Sequence, residues 1–217
     1  MNGPGTAVDT AVGTTSPATA AALRVAVIGC GALARELAAL TRNLPGVDVT
    51  CLPPLLHNRP ERIPEEVRSK VRAARASGRY ERVFVAYADC GTGGLLDRVL
   101  AEEGGIERLP GAHCYEFFAG SATFAALADE EPATFWLTDF LVRAFDALVI
   151  RGLGIDRHPE LLPVYFGNYR RVVYLSQGDD PALVDAARAA ADRLGLAFEH
   201  RSTGYGDFAP ALLAATA

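Results

Sequence analysis

Four cysteines stand in this chain, Cys30, Cys51, Cys90 and Cys114. Cys30 comes just after the apolar run Leu23–Gly29, Cys90 just after Arg82–Ala88, and Cys114 just after Ile106–Leu109. Each run is short and apolar and is followed by a helix signal, so each reads as a buried strand. The three thiols are therefore expected together, where successive strands end. A thiol used only for packing more often lies within a strand or on a helix face. Cys51, at the end of the second strand, is less well placed and reads equally well as structural.

Two chemistries use thiols in that position. One is metal binding, with Cys30, Cys90 and Cys114 as ligands to zinc or to an iron–sulfur cluster. Three thiolates leave a coordination position open, and His113 is a further candidate donor. The spacing matches no Cys-x-x-Cys signature. The other chemistry is proton transfer or nucleophilic attack by Cys90 and Cys114, with His113 beside them. Cys90 is expected at a helix amino terminus, where the dipole favours a thiolate. Gly91, Thr92, Gly93 and Gly94 would then offer N–H groups to a carboxylate or phosphate. Cysteines after different strands have the layout of cofactor-independent amino-acid racemases, in which one thiol removes a proton and another returns it.

Other polar residues gather around these. His57 and Arg59 lie in LPPLLHNRPERIP, an irregular connection whose length suggests a functional lid. There His57 is a candidate ligand or proton carrier and Arg59 a candidate anion clamp. Tyr87, at the end of the third strand, belongs with the ligand-binding set. Trp136 reads as core or pocket wall, and Asp139 as a helix cap. Gly204–Asp207 reads as a loop that either closes over a ligand or simply turns.

The elements that must position these groups alternate. Strands are expected over Leu23–Gly29, Val47–Leu52, Arg82–Ala88, Ile106–Leu109, Tyr169–Ser176 and Leu196–Arg201. Helices are expected after Cys30, from Pro64 to Ser77, from Leu95 to Glu103, from Tyr115 to Ala128, from Thr138 to Ile150 and from Pro181 to Leu194, with a short one closing the chain. This order predicts an α/β fold: a three-layer, doubly wound, mainly parallel sheet with helices on both faces. Ligands in such folds sit at the carboxyl ends of the strands.

The 217 residues suit one domain, expected over residues 23–217, with Met1–Ala22 as a disordered leader. A net charge of −5 argues against a general nucleic-acid grip. No apolar run approaches the roughly 20 residues of a membrane span. Four cysteines at these spacings suggest a cytoplasmic protein with free thiols.

LHNRPERIP, YADCGTGG, GAHCYEFFAG and TFWLTDFL, in that order, resemble domain of unknown function family 1638 of bacteria and archaea. The likeness runs from about Leu23 to the carboxyl end, and the family's cysteines map onto Cys30, Cys90 and Cys114. Many relatives carry Tyr-Gly-X-Cys where this chain has Tyr87-Ala88-Asp89-Cys90, and Asp-Cys where it has His113-Cys114. Family members are often encoded near corrinoid-dependent methyltransferases. The resemblance thus implies a metal- or cluster-binding protein that serves corrinoid methyl transfer in methylamine or one-carbon metabolism. A corrinoid protein or methyltransferase would be its partner, beside a small-molecule ligand. Two other readings stand next to it: a thiol isomerase, racemase or lyase acting on a small carboxylate, and a non-enzymatic module that delivers a corrinoid or other ligand.

Overall fold

A computed structural model describes residues 23–217, and the leader expected over Met1–Ala22 lies outside the described residues. The first strand, β1 (Val25–Cys30), is buried along its whole length. Its continuous apolar sequence suits a central parallel strand covered on both faces. A 3-10 turn (Gly31–Leu33) leads into α1 (Ala34–Thr41), then β2 (Val47–Leu52). Two further 3-10 turns precede α2 (Ile63–Ala76), β3 (Arg82–Ala86) and α3 (Leu95–Glu102). Two helices follow, α4 (Cys114–Ala119) and α5 (Ser121–Glu130).

The first sheet has the order β2-β1-β3, and both pairings are parallel. In this register Cys30 lies opposite Leu52, and Gly29 lies between Cys51 and Ala86. The run Ile106–Leu109, expected as a strand, contributes one parallel bridge, Arg108 opposite Val85. Two hydrogen bonds flank it, Val85 N–H to Glu107 O at 3.0 Å and Leu109 N–H to Val85 O at 3.1 Å. So short a pairing offers no ladder for another strand to extend.

The chain therefore starts a second sheet. It is built from β4 (Thr134–Thr138), β5 (Arg171–Ser176) and β6 (Ala197–Ser202), all parallel, in the order β4-β5-β6. Between β4 and β5 come α6 (Asp139–Arg143), one π turn (Asp146–Ile150) and α7 (Leu161–Phe166). Between β5 and β6 comes α8 (Pro181–Leu194). Asp180 caps its start by accepting from Ala182 N–H at 3.0 Å, and Gly195 ends it in the left-handed region at φ 72°. Each sheet has its own apolar core.

The α/β class and the parallel strands agree with the sequence reading, but the strands divide between two sheets instead of forming one. The helix expected over Thr138–Ile150 is also different. Thr134–Thr138 is β-branched and aromatic and forms β4, and the Thr138 hydroxyl then caps α6 through Leu141 N–H at 3.4 Å. Among the described residues no helix is long and apolar enough to cross a membrane.

The last helix, α9 (Phe208–Thr216), returns to the first sheet, where Phe208, Leu212 and Ala215 join the core. Phe208 stacks on Phe117 at 5.2 Å between ring centroids. Gly206, at φ 46°, makes this return possible. A Cβ there would run into the backbone carbonyls of Phe117 and Phe118, and the next residue donates its N–H to Phe117 O at 2.7 Å. Gly206→Ala is expected to cost about 1–3 kcal/mol through backbone strain and clash. Urea unfolding monitored by circular dichroism checks this: the midpoint should fall, and an unchanged midpoint would show that the loop yields without cost.

Candidate functional site

Cys30 is the last residue of β1 and is only 4% exposed. Its sulfur accepts the Ala32 N–H at 3.4 Å, which caps the following turn. Gly31 allows the chain leaving β2 to pass close by: a Cβ there would stand 2.6 Å from Leu52 O and 2.8 Å from Pro54 Cδ. That passing segment carries His57. The His57 Nδ1 lies 2.9 Å from Pro54 O and 3.8 Å from Cys30 Sγ. A carbonyl can only accept, so Nδ1 carries the hydrogen, and Nε2 of the neutral ring keeps its lone pair.

Cys90 follows β3 with φ 50°, the only non-glycine residue at positive φ among the described residues. A side chain in that region is strained and needs support from its surroundings. Two backbone hydrogen bonds supply it, Asp89 N–H to Gly111 O at 3.1 Å and Cys90 N–H to Ala112 O at 2.8 Å. They hold the loop after β3 against the segment that ends at Cys114, the first residue of α4.

Cys30, Cys90 and Cys114 consequently line one small cavity, together with His57 and Tyr87. The space left for the centre of a water molecule is about 10 Å³, close to the minimum for a single water or ion. Tyr87 is 1% exposed, and its hydroxyl has no hydrogen-bond partner. It feels the Cys30 thiol nearby without reaching hydrogen-bond geometry. A buried hydroxyl left unpaired is uncommon and points to a missing partner.

The electrostatics all run one way. Burial pushes the Cys30 thiol above its ordinary value, against hydrogen bonds that favour the thiolate. Burial, and after it the nearby Cys30, push Cys90 up to about 12. Burial, then Cys90 and Cys30, hold Cys114 well above its ordinary value. Burial also raises Tyr87, with the neighbouring thiols adding to the shift. Without a cation, then, the cavity holds three neutral thiols. No group of three or more His, Cys, Asp or Glu among the described residues is arranged to hold a metal ion. Binding an ion here therefore includes turning the thiol side chains toward it.

A larger chamber of about 270 Å³ adjoins this cavity, sharing Ala32, His57 and Cys114 with it. Its far wall comes from the second half of the chain and is apolar, with Phe135 and Phe140 beside Leu148 and Val149 of the π turn. Asn58, Tyr115 and Thr138 supply its polar points. Trp136 stands behind Tyr115, stacked at 6.4 Å.

Several residues singled out in the sequence lie elsewhere. His113 is exposed just ahead of α4 and lines neither cavity; adjacent residues in a chain point apart. Arg59 lines a separate surface recess with Leu55, Arg62 and Glu66. The Gly-rich loop holds no free anion cradle, because Asp89 already fills it. Its carboxylate accepts from Thr92 Oγ1 at 2.6 Å, Gly94 N–H at 2.9 Å and Gly93 N–H at 3.1 Å. Burial opposes these bonds, yet they hold Asp89 below the ordinary carboxylate range. Gly91 faces Pro60 instead. Helix α3 begins only at Leu95, so no helix terminus lowers Cys90. Cys51 is exposed, apart from the cavity.

The sequence reading offers Trp136 as core or pocket wall but assigns no strand over Thr134–Thr138, so the chamber's far wall does not follow from it. The signal for that strand is present in Thr134–Thr138, a β-branched and aromatic run bounded by Pro132 and Asp139.

The family model described as protein of unknown function (DUF1638) matches residues 51–212. His57, Tyr87, Cys90 and Cys114 fall inside the match and Cys30 outside it. No curated protein matches the chain. The match covers well over half of the sequence and includes most of the thiol cavity, and the chain belongs to the DUF1638 family.

Proposed function

We propose that the chain binds a single soft metal ion, of the zinc class, through Cys30, Cys90 and Cys114. One observation carries this reading: three thiols from three chain segments line one ion-sized cavity, beside a buried tyrosine hydroxyl with no partner. Thiolates are strong ligands for such ions. A bound cation would reverse the charge penalty that now keeps all three thiols protonated. His57 Nε2 is available as a nitrogen donor at the cavity edge. A cavity of about 10 Å³ favours one ion over a multinuclear cluster.

The ion would supply Lewis acidity and thiolate character. The chain's own residues would do the rest: His57 and Cys114 face both the cavity and the apolar chamber, so a ligand in the chamber would meet the site through them. The service implied by the resemblance, corrinoid-dependent methyl transfer, fits a chamber whose walls are mainly aliphatic and aromatic. The thiol isomerase reading is less well supported. A small carboxylate needs room between two sulfurs and an anion cradle, whereas the cavity holds about one water and Asp89 fills the cradle.

Protein purified without oxygen is expected to hold close to one zinc-class ion per chain by elemental analysis. Cys90→Ser, and separately Cys114→Ser, should lower the content at least about tenfold, since a lost ligand weakens a site strongly. Metal-free protein that also ignores added zinc would overturn the proposal.

Proton counting gives an independent check. Each thiol is neutral before binding and ionised after it, so adding zinc near neutral pH should release about three protons per ion. Apparent affinity should rise with pH. Titration in a weak buffer reads the release directly, and binding without proton release would rule out thiolate ligation.

The metal-free protein carries a further signature. The unfolded Cys90 thiol ionises near its ordinary 9.0 and the folded one near about 12. Between these values the unfolded state binds fewer protons, so stability falls as pH rises. The contribution is whole below 9.0 and is lost through about 12. The stability difference between the wild-type chain and Cys90→Ser, from urea unfolding, should therefore shift against the wild-type chain across that range. A difference that stays constant with pH would contradict the burial of this thiol.

A further inference from the structure

A second recess, with a volume of about 150 Å³, lies where α1 meets the carboxyl ends of the second sheet. Arg35 and Glu36 come from α1. Asp139 and Arg143 come from α6, Gln177 follows β5, and Tyr205 follows β6. The carboxyl edge of a parallel sheet is the usual seat of a ligand in α/β folds. This edge is separate from the thiol cavity and shares no lining residue with it.

Glu36 is the unusual member. It is 5% exposed, and its Oε2 has no hydrogen-bond partner. Burial above all, and with it the charge of Asp139, raises its carboxyl above the ordinary value, while Arg143 and Arg35 pull the other way. A cation beside it would restore the ionised form, and all three neighbours line the recess. A buried carboxyl with an unpaired oxygen is costly, and the recess is where a partner would come from.

The remaining groups narrow the chemistry of that partner. Asp139 uses Oδ1 to accept from Tyr174 OH at 2.6 Å and Gln177 N–H at 3.0 Å. Its Oδ2 lies 3.7 Å from Arg143, beyond a good hydrogen bond. Arg35 has no carboxylate within bonding distance among the described residues. Two guanidinium groups and two carboxyl groups thus surround one small space, and their ionised charges cancel. A simple anion would leave Glu36 unpaired and would face Asp139. A metal cation would face two arginines. A ligand that carries both signs on neighbouring atoms satisfies all four groups.

We propose that the recess lined by Arg35, Glu36, Asp139, Arg143, Gln177 and Tyr205 binds a small zwitterion of the α-amino-acid class. Its carboxylate takes the two guanidinium groups, and its ammonium donates to Asp139 and to the Glu36 carboxyl, whose enclosed Oε2 turns toward the ligand on binding. Arginine matches a carboxylate in plane and in donor spacing. The volume of about 150 Å³ is ample for a ligand the size of alanine, with roughly six non-hydrogen atoms.

Calorimetric titration of the full chain with L-alanine tests this, with acetate and ethylamine as the two half-ligands. Alanine is expected to bind, and each half-ligand at least about tenfold more weakly, the loss of one charged hydrogen-bond set. Arg35→Gln and Glu36→Gln should each weaken alanine binding by about the same factor. Arg35 is exposed, so its variant should fold normally and can decide the matter if the Glu36 variant does not fold. Acetate binding as well as alanine would mean an anion site, and ethylamine binding as well would mean a cation site. Either result, or no binding of alanine, would overturn the proposal.

Discussion

Three thiols removed from water within reach of one another cannot all ionise unless a positive charge joins them. The arrangement around Cys30, Cys90 and Cys114 turns on this constraint. Burial raises every one of these thiols, the neighbouring thiols add to the shift at Cys90 and Cys114, and the nearby Tyr87 hydroxyl rises with them. Arg108, the charge that most helps Cys90, is committed to Asp97 at 2.6 Å and reaches the thiol only as a minor influence. The site is consequently a set of soft donors in a low-dielectric cavity, with no resident cation among its own side chains.

The fold builds that set with close backbone contacts. Gly31 lets the exit of β2 press against the exit of β1 and brings His57 to Cys30. The left-handed Cys90 is held by paired hydrogen bonds from Asp89 and Cys90 to the 111–112 segment, which places Cys90 beside Cys114. Asp89 tightens the same loop from below by binding its glycine N–H groups. The strain at Cys90 and the filled glycine nest belong together: the loop brings the Cys90 side chain to the cavity, and Asp89 already takes its glycine N–H groups. The second sheet contributes the outer wall, through β4, α6 and the π turn, and α9 ties the end of the chain back onto the first core.

Local pattern revealed much of this and long-range pairing much less. β1, β2, β3 and α8 were legible because apolar runs and caps are short-range signals. The meeting of Cys30, Cys90 and Cys114 was legible for the same reason, since each follows an apolar run. The division into two sheets was not, because it depends on how few residues of 106–109 actually pair with β3. His113 is a candidate only by its adjacency to Cys114, and because neighbours in a chain diverge it is exposed and lines neither cavity. The glycine loop reads as an anion cradle because its pattern does not show that its own Asp89 takes the same N–H groups. Glu36 gave no sequence signal at all; a glutamate at helical spacing reads as a solvated face until tertiary packing buries it.

The most direct test of the central claim is metal-edge X-ray absorption on the anaerobically purified protein. A shell of three sulfurs at about 2.3 Å from one metal ion is the predicted result. Absence of a metal edge, or a first shell of nitrogen and oxygen alone, would contradict it.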